Sequence, residues 1–301
     1  MSHDTAKARV AYDELEKRFG RLGRLSAGLS ILFWDMETMM PKGGALARAE
    51  HITAIKETIH ELLSNAEVGE LLECAADAEL EAWQGANLRE MQRNYDHQRA
   101  VPHQLVAEMT RATTACQMVW REARPANDFP RILPHLERVV DLCREKAAAK
   151  AGTLGLSPYD ALLDEFEPGG RAEHIDRIFA QLAGFLPQLV DAVLAKQQAE
   201  QAPLKLQGPF GIAAQQALGQ KMMRALGFDF ERGRLDISAH PFCGGVPDDV
   251  RITTRYSEED FTRGLMGVIH ETGHALYEQG LPSSWRYLPV GEARGMAMHE
   301  S

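Results

Sequence analysis

Apolar residues recur three and four positions apart along most of the first two hundred residues, a spacing that keeps one stripe of a helix facing a core. The first such stripe runs through Leu15, Phe19, Leu22, Leu25 and Leu29. The same spacing returns in six further segments, at 45–63, 67–84, 88–97, 102–122, 129–151 and 172–198. Residues 6–202 are therefore predicted to be almost entirely helical, with breaks at the proline- and glycine-containing segments 41–44, 124–128, 157–158 and 168–170.

The pattern changes after Pro203. Residues 211–226 predict one more helix, whereas 234–240 and 250–256 alternate apolar and polar positions, as strands do. Glycines and a proline at 243–247 separate the two strands, and a further short strand is compatible with this pattern. We expect a mainly α fold in two regions, 1–202 and 203–301, which together form one continuous fold with a small β element.

A last long helix is predicted to begin after Ser257, where Asp260 three residues later resembles a capping box. Gly280 and Pro282 are expected to end it. Its buried stripe is predicted to consist of five residues, Phe261, Leu265, Ile269, Thr272 and Leu276. Gly267, one turn before His270, leaves room there for substrate or for a neighbouring segment.

This helix contains an H-E-x-x-H motif, formed by His270, Glu271 and His274. Imidazoles four residues apart lie on one helix face, so both can reach a single metal ion. Glu271 is rotated away from that line and can address a water molecule beside the ion. The arrangement predicts one divalent ion, with zinc as the first choice and cobalt or manganese as alternatives, and hydrolytic chemistry.

A zinc site of this kind needs a third protein ligand and one open position. The residues after His274 do not continue with the x-x-G-x-x-H of metzincins, so a carboxylate from a following segment is expected. Glu300 is favoured, with Glu292 in reserve and His299 less favoured. Glu278 follows His274 by one turn of the same helix and is predicted to lie too far along it.

Two other interpretations of the motif have to be weighed. One is a pair of partly exposed histidines with a solvated glutamate, because the pattern also arises by chance in helices. The other is a di-iron site, since Glu271-x-x-His274 has a counterpart in Glu57-x-x-His60. More than two hundred positions and a strand-bearing segment separate these copies, which argues against a single four-helix bundle.

Composition excludes several classes of partner. The 301 residues are 45% hydrophobic and 25% charged, with a formal net charge of −10, which argues against nucleic acid or an anionic membrane. No apolar run is expected to reach the roughly 20 residues that cross a bilayer, and no secretory signal opens the chain. The four scattered cysteines form no C-x-x-C pair. A cytoplasmic protein with reduced cysteines is predicted.

Four motifs resemble those of the carboxypeptidase Taq family of thermostable metallocarboxypeptidases. They are H-P-F at 240–242, D-x-R-x-T at 249–253, H-E-x-x-H at 270–274 and H-E-S at 299–301. Weaker similarity covers 34–41 and 159–164, and the order and spacing agree over essentially the whole chain. The resemblance implies a mainly helical, zincin-like metallopeptidase with a deep groove, a homodimer, and removal of C-terminal residues from peptides.

By this resemblance, His270, His274 and Glu300 would hold the metal ion and Glu271 would act as general base and acid. An exopeptidase must also recognise a free carboxylate, for which Arg251 is the best-placed cation. A structural ion pair of Arg251 with Asp248 or Asp249 is an equally good interpretation.

His240 and Thr253 are further candidate substrate contacts, although a buried, structural histidine is nearly as plausible at 240. Family members normally continue beyond H-E-S, whereas this sequence ends at Ser301. The alternatives to a carboxypeptidase are therefore a truncated or inactive helical remnant that binds peptide or a partner subunit, and a zinc endopeptidase.

Overall fold

The computed structural model describes residues 3–202 and 206–301, and within them the chain is mainly helical with one small sheet. This confirms the predicted fold class. The predicted boundary after residue 202 stays a prediction, because residues 203–205 lie outside the described residues. The helices are α1 (His3–Thr38), α2 (Ala45–Ser64), α3 (Ala66–Ala75), α4 (Ala82–Arg99), α5 (His103–Ala126), α6 (Phe129–Leu154), α7 (Pro158–Phe166), α8 (Ala172–Ala199), α9 (Ile212–Leu226), α10 (Phe261–Gly280) and α11 (Met296–His299).

Local sequence signals explain where several helices begin and end. The side chains of Asn65, Asp128 and Ser157 each accept a backbone N–H at the start of α3, α6 and α7. Asn127, with φ of 54°, ends α5 in the left-handed conformation, and Gly155 ends α6 in the same way. The continuous helix predicted at 67–84 is wrong, because α3 ends at Ala75 and α4 starts only at Ala82.

The sheet contains three strands in the order β1, β3, β2, where β1 is Gly233–Ile237, β2 is Phe242–Val246 and β3 is Asp249–Thr254. Strand β3 is parallel to β1 and antiparallel to β2. The segment predicted to separate two strands is thus itself mostly a strand. Strand β2 bends at Gly245, where φ is 84°. A Cβ on this residue would lie 2.1 Å from the Asp249 carbonyl oxygen, so both the backbone conformation and the lack of space exclude a side chain.

Two hydrophobic cores position the later part of the chain. One lies among α1, α2, α3 and α4 around Tyr12, Leu15 and Met91. The other joins α9, the sheet and α10 through six buried residues, Met223, Phe228, Val250, Ile252, Val268 and Ala275. Helix α10 is therefore fixed on one side by β3 and on the other by α9.

Helix α10 buries a face that differs from the predicted one. Apart from Thr272, the predicted stripe residues are only partly buried, and the most buried positions are Gly264, Val268, Glu271, Thr272, His274, Ala275 and Gln279. The N-cap also differs, because Asp260 itself accepts the Thr262 N–H. The physical reason is the two-sided packing of α10, which a single apolar stripe cannot represent.

Helix α8 is exposed along its length although it is rich in apolar residues. By length and composition alone it is the single helix within 3–202 and 206–301 that could cross a membrane, and none of the qualifying stretch is buried. The expectation that no segment is long and apolar enough is therefore wrong for α8. The absence of a membrane partner stays a prediction.

Candidate metal centre

Three predicted metal-binding side chains lie together at the open side of α10. The Nε2 atoms of His270 and His274 are 3.1 Å apart. The Oε2 atom of Glu300, just after α11, lies 3.8 Å from the first nitrogen and 3.5 Å from the second. Among the described residues this is the one cluster of three histidine, cysteine or carboxylate side chains with ligand atoms within 4.8 Å of one another.

The separations fit a shared tetrahedral ion. Ligand atoms about 2.1 Å from a zinc ion, at tetrahedral angles, lie about 3.4 Å from one another. The three measured separations in this cluster range from 3.1 to 3.8 Å. Two imidazole nitrogens and one carboxylate oxygen are also a donor set that zinc accepts.

The sequence produces this arrangement by two routes. The spacing of four residues places His270 and His274 on one face of α10, a local effect. Glu300 arrives through a fifteen-residue segment between the helices that contains two short 3-10 turns, Ser283–Trp285 and Pro289–Gly291, before α11 begins. Its position therefore depends on long-range packing.

Burial divides the motif into an exposed and an enclosed part. His270 and Glu300 keep more than half of their side-chain surface exposed, while His274 is 8% exposed. Burial lowers the pKa of His274, which keeps its ring neutral near pH 7 with a lone pair available to a metal ion. Glu271 is also buried, and that burial raises the pKa of its carboxyl group, as suits a group that must take up and release a proton.

A second layer of side chains supports His274. The ring of His299 stacks on the ring of His274 with centroids 4.5 Å apart and planes 9° from parallel. The Nε2 atom of His299 is in turn 3.2 Å from Oε1 of Glu278. The sequence predicts only that Glu278 lies too far along α10 to be a ligand, and this supporting position is not among its predictions. The one-turn spacing from His274 was the available signal.

The other candidate ligands lie elsewhere. Glu292 keeps exposed surface, and desolvation of its carboxyl group together with the nearby Glu278 raises its pKa to about 7. It lines a cavity with Lys150 rather than joining the cluster. In the proposed di-iron counterpart, Nδ1 of the buried His60 lies 3.3 Å from Oε1 of Gln98. Among the described residues, neither Glu57 nor His60 belongs to a group of side chains that could hold a metal ion.

The H-P-F segment packs directly on the motif helix. A Cβ at Gly267 would lie 3.7 Å from Oγ1 of Thr254 and 3.8 Å from Cγ of Pro241, which are ordinary contact distances, so the segment lies close to the helix without requiring a glycine there. His240 is exposed, and its ring centroid is 4.7 Å from that of Trp120. Trp120 also lines a mainly apolar cleft of about 610 Å³ between α5 and α6. His240 is thus accessible to a ligand.

Thr253 is fully buried, and its hydroxyl organises the H-P-F turn. The hydroxyl accepts the Phe242 N–H at 3.0 Å and the Ser238 O–H at 2.8 Å. The carbonyl oxygen of His240 lies 3.3 Å from it. This geometry argues against direct contact of Thr253 with a substrate, because its polar atom is already used within the fold. Any influence on substrate would pass through His240.

Arg251 forms a structural ion pair with Asp249, which is one of the two roles that the sequence predicts for it. Its Nε and Nη2 atoms bind the two carboxylate oxygens of Asp249 at 3.0 and 2.6 Å. The guanidinium lies over the ring of Trp34, 4.3 Å from the centroid. Both the fork of donors and one face of the group are thus occupied, and the side chain is 18% exposed. Binding of a substrate carboxylate by Arg251 stays a prediction.

Comparison with known proteins adds to this geometry. Thermostable carboxypeptidase 1 of Thermus thermophilus is 39% identical over 300 residues, covering 96% of this chain and 58% of the relative. The structure of Trypanosoma cruzi metallocarboxypeptidase 1 matches with a TM-score of 0.86 and 41% identity, covering 96% of this chain and 58% of that one. The M32 carboxypeptidase of Deinococcus radiodurans matches with a TM-score of 0.82, 32% identity and the same coverage.

The chain therefore spans a little more than half the length of these relatives. The family described as carboxypeptidase Taq (M32) metallopeptidase matches residues 14–301, which is nearly the whole chain. Together with the relatives this confirms the resemblance that the motifs indicate. The chain belongs to the carboxypeptidase Taq (M32) metallopeptidase family.

Proposed function

We propose that this chain carries the hydrolytic centre of a metallocarboxypeptidase that removes C-terminal residues from peptides. The convergence of His270, His274 and Glu300 beside the buried Glu271 is the observation that carries the proposal. A divalent ion held by the three side chains would supply Lewis-acid chemistry, polarising the scissile carbonyl and allowing water to act as a nucleophile near neutral pH. Zinc is the ion that this donor set favours first.

Glu271 performs the proton transfers in this proposal. Its carboxylate accepts a proton from the attacking water and then delivers that proton to the nitrogen of the departing amino acid. Burial suits this role, because a raised pKa brings the carboxyl group closer to the pH at which it must both accept and donate. In this proposal His240, which is exposed beside Trp120, donates a hydrogen bond to the peptide.

The decisive experiment separates metal binding from turnover. Glu271→Gln keeps the shape of the side chain and removes the base, so we expect it to retain stoichiometric metal while hydrolysis of blocked dipeptides falls at least about a hundredfold. Glu259→Gln is the matched control, since Glu259 is exposed just before the same helix. Full activity in Glu271→Gln would exclude Glu271 as the base.

Metal analysis of His274→Ala and Glu300→Gln tests the ligand set. Each substitution removes one of three donors, so metal content after dialysis should fall well below one ion per chain. Undiminished metal in both variants would show that the ion is bound elsewhere. Cleavage of C-terminally amidated peptides at the same rate as free peptides would indicate an endopeptidase instead.

The remaining expectations concern the setting of the activity. A homodimer in the cytoplasm follows from the family resemblance and the sequence, and both belong to this proposal. Sedimentation of the purified chain tests the dimer, and a predominantly monomeric result would contradict it.

A further inference from the structure

A cavity of about 350 Å³ opens among α1, α2, α5, α6 and α7, separate from the cluster of His270, His274 and Glu300. This size lies at the lower end of the range for small-molecule sites. Four of its lining residues are charged: Lys56, Lys146, Lys150 and Glu165. Three positive charges thus face a single negative charge within one partly open cavity.

Glu165 is shared between two of the lysines. Its Oε2 atom lies 2.8 Å from Nζ of Lys146, and its Oε1 atom contacts Nζ of Lys150. The side chain of Lys150 is only 2% exposed, and its Nζ also lies 2.9 Å from Nδ1 of His97. The carboxylate is therefore fully engaged before Lys56 is considered.

Lys56 has no ion-pair partner within 3–202 and 206–301. Its Nζ atom lies 5.1 Å from the ring centroid of Phe33, a cation–π contact that is weaker than an ion pair with a carboxylate. Burial, and after it the charge of Lys146, lowers the pKa of Lys56. The cavity wall thus carries two positive charges in excess of its carboxylate.

The adjoining side chains do not neutralise this excess. A neighbouring cavity of about 290 Å³ shares Lys150 and Glu165 and adds Arg93 and Glu292. The nearby Asp164 is already bonded to three partners, Arg93, His97 and Arg171. Three ammonium groups that share one carboxylate in a partly buried space repel one another, and an entering anion would relieve that repulsion.

We propose that this cavity binds a dianion of the phosphate class, either free phosphate or the monoester of a small molecule. Two excess charges match a dianion, and lysine ammonium groups bind phosphate as point charges without needing the bidentate geometry of arginine. The Ser26 hydroxyl and the Gln98 amide supply neutral donors in the wall. Apolar side chains such as Leu29 and Met109 provide a surface for the carbon part of a monoester.

Calorimetric titration of the metal-free 301-residue chain with inorganic phosphate and with glycerol 3-phosphate, at matched ionic strength, tests the proposal. Lys56→Met is the informative variant because it removes the unpaired charge and leaves both ion pairs of Glu165 intact. We expect it to weaken phosphate binding at least about tenfold, since a charged hydrogen-bond donor is lost. Without phosphate, its unfolding temperature should equal or exceed that of the unaltered chain.

Lys221→Met is the matched control, because it removes the same charge from an exposed position on α9. Lys146→Met provides a second variant within the cavity. The proposal is supported if both anions bind and only the cavity variants lose affinity. Tighter binding of the monoester would indicate that its carbon part contacts the apolar wall. No binding of either anion, or equal weakening by Lys221→Met, would overturn the proposal.

Discussion

Gly23 on α1 is the point where the first helix touches the segment that leads to Glu300. A Cβ on Gly23 would lie 2.3 Å from the carbonyl oxygen of Tyr287 and 2.8 Å from its Cα. These are backbone atoms, so a change of rotamer cannot relieve the overlap. Alanine in place of helical glycine is worth about 0.5–1 kcal/mol, whereas overpacking costs about 1–3 kcal/mol. We expect Gly23→Ala to lower the free energy of unfolding by about 1–2 kcal/mol.

Gly28 provides the matched control on the same helix, since a Cβ there meets no atom within 4 Å. Gly28→Ala should therefore raise the free energy of unfolding by about 0.5–1 kcal/mol, so the two variants should differ by about 1.5–3 kcal/mol. Urea unfolding measures this difference. Gly23→Ala should also weaken metal binding, because the displaced segment carries Glu300, while Gly28→Ala should not. Equal stabilisation by both substitutions would refute the contact.

Two further predictions concern buried polar groups. Thr253→Val leaves the Phe242 N–H without its acceptor and should lower the free energy of unfolding, measured in urea, by about 2 kcal/mol. Thr253→Ser keeps the hydroxyl and should therefore retain most of the stability of the unaltered chain. Burial alone would raise the pKa of Asp164, but hydrogen bonds, led by that from Arg171, lower it below the ordinary value. The ionised Asp164 carboxylate stabilises the fold above about pH 3.9, and this contribution is lost as the pH falls toward the folded-state pKa. Asp164→Asn should therefore lower the free energy of unfolding by about 3 kcal/mol at neutral pH and flatten the acid limb of a stability–pH curve. An unchanged acid limb in Asp164→Asn would contradict the stabilising role of the Asp164 carboxylate. A loss of stability in Thr253→Ser equal to that in Thr253→Val would contradict the role of the Thr253 hydroxyl.

Local signals account for the parts of the fold that the sequence predicts well. The helices of 3–202 follow from periodicity and from caps such as Asn65 and Ser157, which act within four residues of their own position. The pairing of His270 with His274 is local in the same sense. These features need only the geometry of one helix.

Strand β2 was only weakly predictable because its stability is not local. Its central residues, Gly244 and Gly245, have low strand propensity and resemble a turn. The strand forms because β3 offers a ladder for it, with Phe242 opposite Thr253 and Val246 opposite Asp249. Single-segment patterns do not contain this information.

The choice between Glu292 and Glu300 shows the same limit at the metal centre. Both carboxylates follow α10 within reach of a connecting segment, and residue type does not distinguish them. Packing distinguishes them, because partial desolvation and then the nearby negative charge of Glu278 raise the pKa of Glu292, whereas Glu300 lies beside two imidazoles. A carboxyl group whose pKa is raised to about 7 must give up a proton to bind a cation near neutral pH, which makes it a poorer ligand. The cavity that Glu292 lines is formed with Arg93 and Lys150, more than a hundred positions away, so the difference follows from the fold and not from the motif.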